Sequence, residues 1–265
     1  MKRFSAALLA LGLGTATLFT QLPVRAAEET ADTAADTAVQ TADPSIVTTN
    51  GIQGWPQASD ISSTAAIVME TSTNTVLYSK NADQALYPAS AVKVMTCLMA
   101  LENSSLDDQV TMTATGVSGV TDGGANISAQ LDEVFTMEQC LYAIMVASAN
   151  DIALQVAEHI SGSVEDFVAA MNTRAQELGC TNTVFTNPTG LPDENQHTTA
   201  HDMALIMEAA MANDTFRTIA QTTSYTIPAT NVSGGDRVLT NNFTMINSSS
   251  DSYYEPCIGG KEGYT

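Results

Sequence analysis

The chain has 265 residues, a length that suits one large domain or two modest ones. Hydrophobic residues make up 44% of it, enough for a sizeable core, while a mean hydropathy of +0.03 argues against a polytopic membrane protein. The formal net charge is −20 with only nine Lys and Arg, so the chain lacks the basic surface that binding to nucleic acid requires.

Residues 1–27, MKRFSAALLALGLGTATLFTQLPVRAA, have the pattern of a secretory signal peptide. Lys2 and Arg3 precede an apolar run, and small residues precede acidic sequence, so we expect cleavage after Ala26 or Ala27. A retained membrane anchor is the alternative, but the apolar run is short for a span. The pattern therefore predicts an exported protein.

Residues 28–54 consist largely of Ala, Thr, Asp and Glu with almost no large apolar side chain, so we predict a disordered acidic linker. We expect the folded domain to cover 55–265. Its segment AAIVMETSTNTVLYSKN contains two apolar, β-rich runs around the polar residues 72–74, which predicts a β-hairpin.

Helical patterns dominate the middle of the chain. Residues 90–103 are apolar and predict a helix ending near Asn103, and Thr136 with Gln139 has the spacing of a capping box. Further helices are predicted in NDIALQVAEHI, in SVEDFVAAMNTRAQELG, which ends at Gly179, and in TAHDMALIMEAAM. Strand character returns in SYTIPAT and CIGGKEGYT. This order predicts an α/β fold of the α+β kind, with an antiparallel sheet packed against a helical cluster.

Cysteine and histidine give little sign of metal or redox chemistry. The cysteines are scattered without a C-x-x-C pair, so buried free thiols are favoured, and one disulfide with unassigned partners is left open. His197 and His201 lie four positions apart, a spacing that suits a metal on one helix face. No H-E-x-x-H motif is present, and we favour a surface pair where a loop meets a helix. We expect no metal and no other cofactor.

The segment YPASAVKVMT places Ser90 and Lys93 three positions apart in apolar surroundings. On one helix the two side chains share a face, so the amine reaches the hydroxyl. A serine becomes a strong nucleophile when a neighbouring base accepts its proton. A lysine acts as that base when burial or nearby positive charge lowers its pKa. By itself, S-x-x-K is a weak signal, because a solvated lysine near a helical serine is common.

Two further motifs strengthen this signal. ASANDIA supplies Ser148 and Asn150 at the junction of two predicted helices, and GGKEGYT supplies Lys261 after two glycines on a predicted strand edge. The order S-x-x-K, S-x-N, K-x-G is that of serine acyl-transfer enzymes acting on D-alanyl peptides or penicillins.

From about Trp55 to its end, the chain resembles the D-alanyl-D-alanine carboxypeptidases, the low-molecular-mass penicillin-binding proteins. The resemblance extends over AAIVMETSTNTVLYSKNADQALYPASAVKVMT, SANDIALQVAEHISGSVEDFVAAMNTRAQELGCTNTVFTNPTGL and IGGKEGYT. It implies a β-lactamase/transpeptidase-like fold and an extracytoplasmic, cofactor-free serine carboxypeptidase. Its substrate would be a peptidoglycan stem pentapeptide ending in D-Ala-D-Ala, and β-lactam antibiotics would inhibit it covalently.

The resemblance also implies a role for each motif residue. Ser90 would be the acylated nucleophile and Lys93 its general base. Ser148 would relay a proton towards the leaving D-alanine, and Asn150 would hold the acyl peptide. Lys261 would place positive charge near the terminal carboxylate of the substrate and help to keep Lys93 neutral.

Two more positions complete the implied site. The backbone N–H groups of Ser90 and Tyr264 would form an oxyanion hole. Gly263 would let the substrate backbone lie against the strand. Glu262 stands where the family usually has Thr, and an ionised carboxylate would repel the substrate carboxylate if it faced the site; in an ideal strand it points the opposite way from Lys261.

The chain ends at Thr265, where the family continues with further strands, a C-terminal helix and often a β-rich domain with a membrane-binding tail. We therefore expect a fragment that lacks the C-terminal part of its domain, with any membrane anchoring through a region absent from this chain. The Lys261 strand would then be an unpaired edge.

Three alternative functions are left open. A serine β-lactamase shares the three motifs, but its deacylating glutamate motif is not recognisable here and S-A-N replaces S-D-N. A degenerate binder of wall peptides is supported mainly by Glu262. A transpeptidase shares the acyl-enzyme and differs only in the acceptor. We place the carboxypeptidase first.

Overall fold

A computed structural model describes residues 46–48, 52–54, 59, 61–119 and 124–264. The predicted signal peptide lies wholly outside these residues, as does most of the predicted linker.

Within the described residues, seven strands form three small antiparallel sheets, with strand orders β1-β3-β2, β4-β5 and β6-β7. The strands are β1 (Ile46–Thr48), β2 (Ala66–Glu70), β3 (Thr75–Lys80), β4 (Gln109–Thr111), β5 (Val134–Thr136), β6 (Ser224–Ile227) and β7 (Arg237–Thr240). The predicted hairpin is confirmed as β2 and β3, and its turn contains Asn74 with a φ of 54°. Asn tolerates this left-handed conformation better than most residues.

Strand β1 corrects the linker prediction. Its three residues pair with β3 although they lie inside the segment 28–54 that we predicted to be disordered. Ile, Val and Thr are β-branched and favour an extended backbone, and the edge of β3 supplies hydrogen-bond partners that the local sequence does not reveal.

Seven α-helices occur in the same described ranges. They are α1 (Lys93–Asn103), α2 (Ala114–Ser118), α3 (Met137–Val146), α4 (Asn150–Ser161), α5 (Val164–Glu177), α6 (Ala200–Met211) and α7 (Asp214–Ala220). Helix α1 packs against α3, α4, α5, α6 and α7, and its first eight residues are all buried. A helix that is buried on every side lies at the centre of the core. None of these helices is both long and apolar enough to cross a bilayer.

The ends of several helices were predicted correctly from local sequence signals. The capping box is confirmed, because Gln139 N–H donates to Thr136 Oγ1 at 3.2 Å and Thr136 N–H donates to Gln139 Oε1 at 2.9 Å. Gly162, with a φ of 80°, follows α4, and Gly179, with a φ of 89°, lies just beyond α5. Both glycines adopt the left-handed conformation that ends many helices.

Two predicted elements differ from the structure. The predicted helix over 90–103 begins as a 3-10 turn, Ala89–Val92, before α1 continues it. The predicted terminal strand over 257–265 is not a strand in its described part, 257–264, because no described residue forms a β-ladder with it. Helices α2 and α7 and strands β4, β5 and β7 were also not predicted, since elements this short show too little periodicity.

Candidate active site

The turn that carries Ser90 starts from a strained backbone. Ala89 has a φ of 49°, a left-handed conformation that costs free energy for a residue with a Cβ and tends to occur at functional sites. In the 3-10 turn that follows, side chains three positions apart lie directly above one another. Lys93 Nζ is consequently 3.1 Å from Ser90 Oγ. The 3-10 turn thus brings the hydroxyl and the amine into contact.

Lys93 is fully buried in the core, with no exposed area. Its Nζ donates hydrogen bonds to Ser90 Oγ and to the backbone carbonyl of Thr189. Burial, assisted by the positive charge of Lys261, lowers the pKa of Lys93 from 10.5 to about 7. A large fraction of Lys93 is therefore a neutral amine at pH 7.

Lys261 is the second buried lysine of the site, with 8% of its surface exposed. Its Nζ donates to the backbone oxygen of Glu262 at 3.0 Å. Burial lowers the pKa of Lys261 to about 8, against an opposing contribution from the Glu262 carboxylate. Lys261 is thus mostly cationic at pH 7. Glu262 is exposed whereas Lys261 is buried, although this segment is not a strand.

Ser148 and Asn150 lie where α3 ends and α4 begins. Ser148 has a φ of 58°, which produces the sharp turn between the helices, and it is buried. Asn150 is 4% exposed, and its backbone N–H donates to Ala125 O at 2.8 Å. Its side-chain Oδ1 is buried and accepts no hydrogen bond from the described part of the chain. Because an unpaired buried oxygen is costly, this atom is suited to a donor supplied by a ligand.

Asp151 is a buried residue near the site that the sequence analysis missed. Its carboxylate accepts hydrogen bonds from the backbone N–H groups of Ile127, Ala129 and Ile152, at 3.0 to 3.3 Å. Burial raises the pKa of Asp151, and these hydrogen bonds oppose the rise. The carboxylate thereby fastens residues 127–129 to the start of α4. Its position in the first turn of a predicted helix was the available signal.

Two glycines enclose the peptide between Ala89 and Ser90. A Cβ at Gly263 would lie 3.0 Å from Ala89 Cβ and 3.2 Å from Ser90 N, and a Cβ at Gly190 would overlap the Ala89 carbonyl. Gly263 is therefore constrained by the turn that carries Ser90. The contact of Gly263 with a substrate backbone stays a prediction.

Tyr264 follows Gly263, the residue that packs against Ala89 and Ser90, and its side chain is exposed. Neither its backbone N–H nor that of Ser90 donates a hydrogen bond to a described residue. Both N–H groups are therefore available to a ligand.

The histidines and cysteines lie apart from this chemistry or are inert. His201 Nδ1 contacts the exposed Asp83 at 3.1 Å, and His197 Nδ1 contacts Asn195 O at 2.9 Å. In the described ranges, no group of three or more His, Cys, Asp or Glu has a geometry that suits a metal. All four cysteines are free thiols, and all except Cys257 are buried as predicted. Burial raises the pKa of the three buried thiols, which makes them poor nucleophiles.

Comparison with known proteins identifies the family. A family model described as D-alanyl-D-alanine carboxypeptidase matches residues 52–265. The chain belongs to this family. The carboxypeptidase DacF of Bacillus subtilis is 40% identical over 147 residues, which are 54% of this chain and 37% of DacF. DacB2 of Mycobacterium tuberculosis is 33% identical over 204 residues, 75% of this chain and 65% of DacB2. The chain therefore spans less than two thirds of the length of either relative.

Solved structures confirm the predicted transpeptidase-like fold. The D-alanyl-D-alanine carboxypeptidase from Mycobacterium tuberculosis H37Rv matches 80% of this chain and 77% of its own, with 31% identity and a TM-score of 0.71. The Streptomyces K15 DD-transpeptidase matches 74% of this chain and 79% of its own, with 28% identity and a TM-score of 0.69.

Proposed function

We propose that this protein is a serine-type D-alanyl-D-alanine carboxypeptidase that removes the terminal D-alanine of peptidoglycan stem peptides through an acyl-enzyme on Ser90. One observation carries the proposal. A buried lysine with a pKa of about 7 lies 3.1 Å from a serine hydroxyl on a strained turn. A perturbed lysine beside a hydroxyl is the arrangement expected of an activated nucleophile.

Acylation starts with neutral Lys93. Its lone pair accepts the proton of Ser90 Oγ as this oxygen forms a bond to the carbonyl carbon of the penultimate D-alanine. Negative charge then develops on the carbonyl oxygen. The N–H groups of Ser90 and Tyr264 stabilise that charge, and they are free to do so because neither donates to a described residue.

Release of D-alanine requires a proton on its nitrogen. Ser148 relays this proton from the Lys93 ammonium as the C–N bond breaks. Asn150 holds the acyl peptide through the side chain whose Oδ1 lacks a partner, and Lys261 attracts the terminal carboxylate. Water then attacks the ester on Ser90 while Lys93 accepts a proton from it. Lys93 returns this proton to Ser90 Oγ as the ester C–O bond breaks, and free enzyme is restored.

The same chemistry makes β-lactam antibiotics covalent inhibitors, because the amide of the β-lactam ring presents an equivalent carbonyl to Ser90. The wall peptide lies outside the cytoplasmic membrane, so the proposed reaction takes place there, in agreement with the predicted signal peptide. Metal ions and organic cofactors have no part in the proposed steps.

Intact-protein mass spectrometry after mixing with benzylpenicillin tests the proposal, with Ser90→Ala in parallel. We expect a mass increase of one penicillin that persists and that the variant lacks. A peptide ending in D-Ala-D-Ala should release one D-alanine per turnover. An adduct that disappears quickly with drug hydrolysis would favour the β-lactamase, and no adduct in a folded sample would favour the degenerate binder. A peptide amine acceptor that competes with water would favour the transpeptidase.

A further inference from the structure

The segment 187–191, NPTGL, touches both reacting groups although it lies far from them in the sequence. The Thr189 carbonyl accepts a hydrogen bond from Lys93 Nζ, and Gly190 packs against the Ala89 carbonyl next to Ser90. From the sequence alone, no catalytic role was predicted for this segment.

The side chain of Asn187 organises this segment. Its Oδ1 accepts hydrogen bonds from Thr189 N at 3.1 Å, Thr189 Oγ1 at 2.8 Å and Gly190 N at 2.8 Å. Its Nδ2 donates to Leu191 O at 3.1 Å. One neutral amide thus makes four hydrogen bonds within five residues. Such a network holds the backbone in one conformation.

The geometry of the peptide bond explains how these hydrogen bonds orient the carbonyl of Thr189. In a trans peptide, the carbonyl of one residue and the N–H of the next point in opposite directions. Asn187 Oδ1 holds the N–H of Gly190, so the carbonyl of Thr189 in the same peptide must point away from Asn187. Lys93 Nζ lies on that opposite side.

A second contact attaches the segment to α1. Thr96 Oγ1, which is buried one turn beyond Lys93, donates to Pro188 O at 2.7 Å. Lys93 and Thr96 therefore hold neighbouring carbonyls of the same segment. The distance between α1 and the segment is fixed at both points.

We propose that Asn187 is a positioning residue for the general base. By directing the Thr189 carbonyl at Nζ, it secures one proton of the Lys93 amine, so that the lone pair is left facing Ser90 Oγ. A hydroxyl is a weaker acceptor than a carbonyl and also donates, so the proton facing Ser90 is the one that Lys93 gives up. This inference rests on the proposed function, in which Lys93 deprotonates Ser90.

The experiment measures the second-order rate constant of acylation by benzylpenicillin between about pH 5 and pH 10, on the full-length protein. At the pH plateau, the rate constant of the Asn187→Ala variant should be about 10- to 100-fold lower than that of the wild type. Asn187→Asp keeps the acceptor oxygen but adds a negative charge across the Thr189–Gly190 peptide from Lys93, which should raise the pKa of Lys93. The plateau rate constant of Asn187→Asp should be higher than that of Asn187→Ala, and the rate should begin to rise at a higher pH than in the wild type.

Asn213→Ala is the matched control. Asn213 caps α7 by accepting hydrogen bonds from Thr215 N and Phe216 N, so its loss removes two hydrogen bonds away from Lys93, compared with four at Asn187. We expect a fall in Tm with an unchanged acylation rate and pH profile. An equal loss of rate in this control would overturn the inference, because general destabilisation would then explain the effect.

The remaining outcomes are also decisive. A folded Asn187→Ala protein with the wild-type rate and pH profile would overturn the inference. If that variant does not fold, Thr96→Val takes its place: a loss of about three- to tenfold supports the positioning of the segment, and an unchanged rate contradicts it. Failure of the proposed function is recognised separately, because the wild-type protein would then form no Ser90-dependent adduct.

Discussion

Replacing Lys93 by Met should abolish acylation and at the same time stabilise the fold at neutral pH. Lys93 is fully buried, and the folded state lowers its pKa from 10.5 to about 7. Below its ordinary pKa the unfolded chain holds the amine protonated and hydrated. Folding must therefore either release that proton or bury the charge. Met has a similar shape and carries neither cost.

The pKa gives the magnitude. A change from 10.5 to about 7 corresponds to roughly 5 kcal/mol, since one pKa unit equals about 1.4 kcal/mol. Met also leaves the Thr189 carbonyl without its donor, which costs about 1–3 kcal/mol. The expected net gain at pH 7 is about 2–4 kcal/mol in the free energy of unfolding.

The pH dependence separates this mechanism from better packing. Between about pH 7 and 10.5 the unfolded state binds a proton that the folded state does not, so this group makes the wild type more stable as pH rises. The gain in the free energy of unfolding from Lys93→Met should therefore become smaller as the pH rises. Near pH 10 the variant should be equal to the wild type or less stable by up to about 2 kcal/mol, because mainly the lost hydrogen bond remains.

Urea unfolding followed by circular dichroism at pH 7 and pH 10 measures this difference. Ser90→Ala is the control, because it removes the nucleophile but keeps the buried amine, and it should show no pH-dependent gain. The reasoning would be refuted if Lys93→Met changed the free energy of unfolding by the same amount at both pH values. Lys93 would then not be held in the fold with a lowered pKa.

Three further predictions concern the same site. In a pH–rate measurement, the acylation rate should rise as Lys93 deprotonates near pH 7 and fall as Lys261 loses its charge near pH 8. Lys261→Gln should remove the fall at high pH and move the rise to higher pH, because the charge that lowers the pKa of Lys93 is gone. Glu262→Thr should raise kcat/KM about two- to fivefold for a peptide with a free terminal carboxylate but not for its C-terminal amide, because an exposed like charge costs at most about 1 kcal/mol; equal effects on both peptides would contradict this. Gly190→Ala should unfold the protein or lower its stability by more than about 3 kcal/mol in urea, because its φ of +82° and the nearby Ala89 carbonyl leave no room for a methyl group.

Elements that depend on local interactions were predictable from the sequence. The capping box at Thr136 and Gln139 formed as expected, because both hydrogen bonds join residues three positions apart. The β2–β3 hairpin formed at its polar turn for the same reason. The spacing of Ser90 and Lys93 was also sufficient to place their side chains in contact. In each case the contact that decides the structure joins residues only a few positions apart in the sequence.

Elements that depend on a distant partner were not predictable. Strand β1 exists because β3 offers an edge, whereas 257–264 has strand-like composition but no partner among the described residues. Backbone hydrogen bonds between strands, rather than residue preference, decided both cases.

The chemistry of the site also depends partly on local sequence and partly on distant contacts. The sequence by itself determined which groups are present: a serine, a lysine three positions later, and a second lysine beside glycines. Only the tertiary structure decided that Lys93 has no exposed area and that a carbonyl 96 positions away, that of Thr189, faces its amine. The pKa of a lysine depends on the surrounding solvent and charge. The packing of α3, α4 and α6 around α1 keeps solvent from Lys93, and the segment that carries Lys261 brings the charge.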